Sequence, residues 1–142
     1  MQMKEQQVET DNDLVGVSKQ LRTLSGFDSH AFNHLLEDTT ANTVLRILAR
    51  FCVSLNESIP ALERGSNSGE SEVVWKAAHK LAGSAEMLGF KEFGKRSKDL
   101  SWQLKQSEHI GDNLEEVSLY VAQARQLAAN LAQVFPNQKH YL

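Results

Sequence analysis

Among the five histidines of this chain, His79 is set apart by its surroundings. It lies in the run from Ser71 to Leu88, in which Val74, Ala77, Leu81, Ala85 (with Ser84) and Leu88 recur at steps of three and four residues. That spacing predicts a helix from about Ser71 to Leu88 with those residues as its buried stripe. At 3.6 residues per turn, His79 stands about 200° round from Leu81 and points away from the core. One turn on, at the spacings that share its face, come Ala82 and Gly83. A glycine inside an exposed helix costs roughly 1 kcal/mol against alanine, so Gly83 gives the helix nothing. With Ala78, Ala82 and Gly83 small, the imidazole stands above a flat surface and is able to enter another protein's active site. The blander readings are an idle surface histidine and a glycine kept small for a neighbouring helix. The second conflicts with the position of Gly83 opposite the core stripe.

An exposed imidazole suits phosphoryl carriage. As a group it titrates close to neutrality, so much of it is neutral and nucleophilic at cytoplasmic pH. Phosphoryl transfer depends mostly on positioning and charge stabilisation. A carrier therefore needs little beyond a reachable nucleophile and a docking surface, while its partner supplies the metal and the acidic pocket. Trp75, one turn before His79, shares its face and reads as a docking aromatic or as half-buried support.

Other chemistries fare worse. His30 and His34 are four residues apart on one helix face, a spacing that can hold zinc, but no second ligand pair accompanies them. They read as surface or partly buried side chains, and no metal site is expected. No glycine-rich loop followed by Lys-Ser or Lys-Thr occurs, which disfavours an ATP-dependent kinase. The only cysteine, Cys52, excludes an internal disulfide, agrees with a reducing compartment and sits in an apolar helix segment as inert packing.

The overall charge of −3 conceals a polarity. Between Lys76 and Lys105 seven basic residues face three acidic ones, so that segment carries +4 and the remainder −7. A solvated mixed face explains this as composition, yet the excess surrounds His79 and suits a negatively charged partner surface. It is too small and too poor in clustered arginine for nucleic acid. Met1 to Gln7 lacks the apolar core of a signal peptide. The most apolar stretch, Val117 to Phe135, is broken by Gln123, Arg125, Gln126, Asn130 and Gln133, so no membrane span is expected. The reading is a cytoplasmic monomer, and the polar start suits a free-standing protein.

The elements that must position His79 are helical. At 142 residues the chain fits one domain. Residues 1–10 read as a disordered tail, and 11–26 as a short helix through Leu14, Val17, Leu21 and Leu24, ended by Ser25-Gly26. Asp28 reads as the N-cap of a second short helix, with Phe27 and Phe32 as its hydrophobic staple. A long helix follows from about Ala41 to Glu63, with Pro60 placed to bend its last turn. Gly65 to Gly69 reads as a loop by composition. After the His79 helix, Gly89 is the C-terminal stop. The next helix runs from about Phe90 to Gln106 and buries Phe90, Phe93, Leu100 and Leu104. Asp112 and Glu115 resemble a capping box for a last helix that buries Leu114, Val117, Val121, Ala124, Ala128, Leu131 and Phe135. Short connections between four long helices predict an all-α, up-down antiparallel four-helix bundle over 27–136, with one or two short N-terminal helices against it.

The run Ala78-His79-Lys80-Leu81-Ala82-Gly83-Ser84-Ala85, then Leu88-Gly89, Phe93 and Leu100, resembles the signature A-H-x-L-K-G-x-A-x-x-L-G-x-x-x-L of histidine-phosphotransfer (HPt) domains. The resemblance extends over roughly residues 27–135. It implies that His79 is the phosphoacceptor in a two-component phosphorelay. It further implies that receiver domains of response regulators and a hybrid sensor histidine kinase are the partners. No cofactor of its own is implied, Mg²⁺ being expected only in the receiver. Where the family has lysine, three residues after the histidine, this chain has Ala82. Lys76, one turn before His79, is the first candidate to replace that charge. Lys95 and Lys98 on the following helix come next, and Lys80, about 100° round from His79, is weaker. The competing reading is a helical bundle that binds a receiver or kinase without being phosphorylated.

Overall fold

A computed structural model describes residues 2–107 and 110–142. Six α-helices are found among these residues: α1 Gln2–Leu21, α2 Ser29–Asp38, α3 Ala41–Ser68, α4 Ser71–Leu88, α5 Lys91–Ser107 and α6 Leu114–Val134. Helices α3 to α6 form the expected bundle. α4 packs between α3 and α5, and α6 closes the ring against α3 and α5, while α1 lies on α3 and α6, and α2 on α3 and α4. The core gathers Leu45, Leu48, Leu55 and Leu62 of α3, Leu81 and Leu88 of α4, Leu104 of α5 and Leu131 of α6, each almost fully buried.

Several boundaries follow the residue chemistry read from the sequence. Asp28 accepts hydrogen bonds from the backbone N–H of His30 (3.0 Å) and Ala31 (3.4 Å), capping α2. The Phe27 and Phe32 rings meet edge to face at 5.6 Å. Thr40 caps α3 through the Thr43 N–H. Gly89 ends α4 at φ 103°, a left-handed conformation that disfavours any side chain.

Other boundaries correct the sequence reading. Residues 2–21, expected as most of a tail followed by a short helix reaching 26, form one 20-residue helix, because Gln2 to Thr10 is rich in good helix formers and α1 is anchored at a distance. The Tyr141 hydroxyl donates to the Asp13 carboxylate from a turn at Gln138–Tyr141. The loop expected at Gly65–Gly69 is instead the end of α3, which runs eight residues past Pro60 and closes only at Gly69, φ 74°. Gly65 is buried: a Cβ there would come within 2.8 Å of Val74 Cγ2, so the glycine serves the approach of α4. The capping box at Asp112 and Glu115 does not form. A 3₁₀ turn over Gly111–Asn113 moves the start of α6 to Leu114, past Asp112. Leu114, expected in the core, is 49% exposed because α6 begins there with few neighbours to cover it.

Candidate functional site

The site is built on the pairing of α4 with α5, the most extensive helix contact among the described residues. Their junction is a two-residue turn, Gly89-Phe90, held from the other side by the α1–α2 connection. The Asp28 N–H donates to the Gly89 carbonyl (2.6 Å) and the Glu92 N–H to the Gly26 carbonyl (3.4 Å). Phe90 also stacks on Phe51 of α3. Farther along, Ser97 of α5 and Tyr120 of α6 share a buried hydrogen bond of 2.6 Å, and burial pushes the Tyr120 hydroxyl up in pKa. The Phe93 ring stacks on Tyr120 at 5.2 Å. The helix pair thus rests on a stiff base.

The buried face of α4 is Val74, Ala78, Leu81, Ala82, Ala85 and Leu88. It therefore runs through Ala78 and Ala82, where the sequence reading had Ala77 and Ser84. This corrects one detail of the flat face: Ala78 is fully buried and Ala82 is 8% exposed, so neither lies beside the imidazole at the surface. Ala82 faces α5. A Cβ on Gly94 of α5 would meet Glu86 Cγ at 2.7 Å, the Glu86 nitrogen at 3.2 Å and the Ala82 carbonyl at 3.4 Å. Small residues on both helices thus let their backbones come close at this level.

His79 and Gly83 lie outside this seam, and both are exposed. No hydrogen bond or ion pair ties the His79 ring to another described residue, so the imidazole is free to meet an incoming group. A Cβ on Gly83 would meet nothing within 4 Å. Close packing within the chain, the alternative weighed for this glycine, is therefore excluded: the space beside it is open.

The neighbouring cations are deployed unevenly. Lys76 reaches back along α4, its ammonium 2.7 Å from the Glu72 carboxylate and away from His79. That hydrogen bond, and then the lysine's charge, hold the Glu72 carboxyl below the usual carboxylate range. Trp75 is half-buried against the core, with the ammonium groups of Lys105 and Lys76 at 5.5 and 5.9 Å from its ring. It supports the α4–α5 flank, and its lysines give it a charged border. Sequence reasoning counted Lys105 in the basic segment without a role at the site and did not single out Gly94. The signal for Gly94 was another glycine inside a predicted helix, four residues after its expected start at Phe90. Lys95 borders a surface cleft with Gly26, Phe27, Asp28, Lys91 and Glu92, at the turn end of the pair. Lys80 and Lys98 are exposed.

Away from this face, the His30 and His34 rings contact each other, Nε2 to Nε2 at 3.2 Å. No third His, Cys, Asp or Glu among the described residues joins them in a ligand cluster. Burial pushes the Cys52 thiol up to about 12, which keeps it a neutral packing group. No helix among the described residues is long and apolar enough to cross a membrane.

Compared with known families, residues 46–134 match the model of the Hpt domain. No curated protein and no solved structure matches the chain. The matched segment takes in most of α3, all of α4 and α5, and α6 to its last residue.

Proposed function

This chain belongs to the Hpt domain family, phosphotransfer modules of two-component signalling, and from that premise we propose that His79 receives and returns a phosphoryl group between receiver-domain aspartates. A neutral ring nitrogen of His79 attacks the phosphorus of an aspartyl phosphate in a docked receiver. The P–O bond breaks, the aspartate leaves as a carboxylate, the new P–N bond forms and the ring proton passes to solvent. The reverse sequence, with a second receiver's aspartate as nucleophile, unloads the histidine. The chain's own contribution is positional: a stiff α4–α5 pair presents the imidazole, and open space at Gly83 lets a partner approach.

The observation that carries this reading is the pairing of an exposed, untethered His79 with a Gly83 that no packing contact requires. The receiver brings its own Mg²⁺ and acidic pocket, and this chain acts as a monomer without a bound cofactor. The phosphate on the sensor side originates in a hybrid histidine kinase, since Hpt domains are carriers and not kinases. A chase experiment tests the relay. Label should move from a panel of phosphorylated receiver domains to this chain, and from the purified labelled chain to a second, unlabelled receiver. Binding of a receiver with no label acquired under any donor would instead establish the non-phosphorylated interaction module.

A further inference from the structure

The lysine that the signature places three residues after the histidine is replaced here by Ala82. We propose that Lys98 of α5 supplies the positive charge beside the phosphoryl group on His79, carried there by the close approach of α5 to α4 at Ala82 and Gly94. This assignment rests on the reading of His79 as the phosphoryl carrier.

The register of the two helices leads to Lys98. Gly94 lies against Ala82 and Glu86, the Ser71 hydroxyl reaches the Leu104 carbonyl (3.4 Å), and the Lys105 ammonium lies over Trp75. The helices are antiparallel, so each step along α4 from Trp75 toward Ala82 is a step back along α5 from Lys105 toward Gly94. His79 lies between Trp75 and Ala82, and Lys98 lies between Lys105 and Gly94. Positions 94, 98, 101 and 105 follow one another at helical spacing along the flank of α5 that faces α4. Of these, Gly94 and Ser101 are buried while Lys98 and Lys105 are exposed. Lys98 is therefore level with His79 and turned, like it, away from the core.

The other cations of the basic segment are accounted for, Arg96 by its ion pair with Glu92 and Lys91 by its place at the cleft at the turn end. Lys76 is held by Glu72, Lys105 lies over Trp75 a turn before the histidine, and Lys95 borders the cleft at the turn end. Lys80 projects from the side of α4 opposite α5. Lys98 makes no ion pair with any described residue. A lysine at position 82 would have to thread its stem through the seam where Ala82 is 8% exposed and Gly94 admits no Cβ without displacing Glu86. Closing that seam with small residues and taking the charge from the next helix is one arrangement. An ammonium at this place favours the phosphoryl dianion and opposes the ring protonation that makes imidazole a leaving group.

Phosphoramidate tests this without a protein donor. Its phosphoryl group passes to the ring nitrogen as ammonia leaves and the ring proton goes to water. The lifetime of phosphate at His79 is then followed by peptide mapping in the intact chain. Lys98→Ala should shorten it about fivefold at low salt, the size of a solvent-screened charge pair, and the difference should shrink as salt is added. Lys98→Arg should keep most of the lifetime, while Lys76→Ala and Lys95→Ala leave it unchanged. An unaltered lifetime in Lys98→Ala, an equal loss in Lys98→Arg, or a loss indifferent to salt would each overturn the assignment. Chemical loading does not depend on the relay. A failed transfer from every receiver would sink the relay reading alone, and a silent Lys98 would sink the assignment alone.

Discussion

Two helical glycines on the same pair of helices have opposite reasons to exist. Gly94 of α5 faces inward, and even a methyl group there would crowd Glu86 and the backbone of α4. Gly83 of α4 faces outward, with nothing within 4 Å of the place a Cβ would occupy. Both carry the same conformational cost of a helical glycine. At Gly94 that cost is offset inside the molecule, by two backbones brought close. At Gly83 nothing inside the molecule offsets it, so the benefit lies with something that comes from outside. Substituting each glycine therefore separates a requirement of the fold from a requirement of a partner.

The largest effect is expected at the seam. Gly94→Val adds a branched side chain where Glu86 Cγ already stands 2.7 Å from a Cβ, and should destabilise the bundle by about 1–3 kcal/mol in urea denaturation. A neutral result would show that α4 and α5 can separate at little cost, and the argument from close approach would lose its basis.

At Gly83 the sign reverses. Gly83→Ala should stabilise the isolated chain by up to about 1 kcal/mol, since a poor helix former is replaced in open space. Gly83→Leu should leave the fold intact and slow phosphoryl transfer, because its side chain rises where the receiver approaches. Transfer at the wild-type rate in Gly83→Leu would place the docking surface elsewhere.

The smallest effect is expected from Glu72 and Lys76, an exposed pair. The lysine lowers the folded-state pKa of Glu72, so the pair's stabilisation is present above the ordinary carboxylate range and is lost as pH falls through the lowered titration. Stability measured against pH should show this small acid-side slope in the wild type and lose it in Lys76→Met. An unchanged slope in Lys76→Met would mean that the pair does not form in solution.

The helix pair was largely legible in the sequence, while its flanks were not. α4 occupies Ser71–Leu88 as read, because its apolar spacing, the stop at Gly89 and the absence of proline all agree. The Asp28 cap and the Phe27–Phe32 staple were legible for the same reason: their partners lie within a few residues. The errors arose where the deciding contact is distant in sequence. Gly65 looks like a loop residue until Val74 of the next helix is seen against it. Residues 2–10 look like a tail until Tyr141 is found bonded to Asp13, 128 positions away. For the site, the periodicity was enough to turn His79 outward. The positions of Ala78 and Ala82 depended on the direction from which α5 arrives, and that direction is set by Gly94.

The central claim is that the exposed imidazole of His79 is the phosphoacceptor, and the most direct measurement is the location of phosphate after exposure to a phosphorylated receiver domain. In the wild-type chain the label should be acid-labile and base-stable and should map to the peptide carrying His79. In His79→Gln it should vanish while helix content and receiver binding stay unchanged. Equal labelling of the variant, or label found at His30, His34 or His109, would contradict the account.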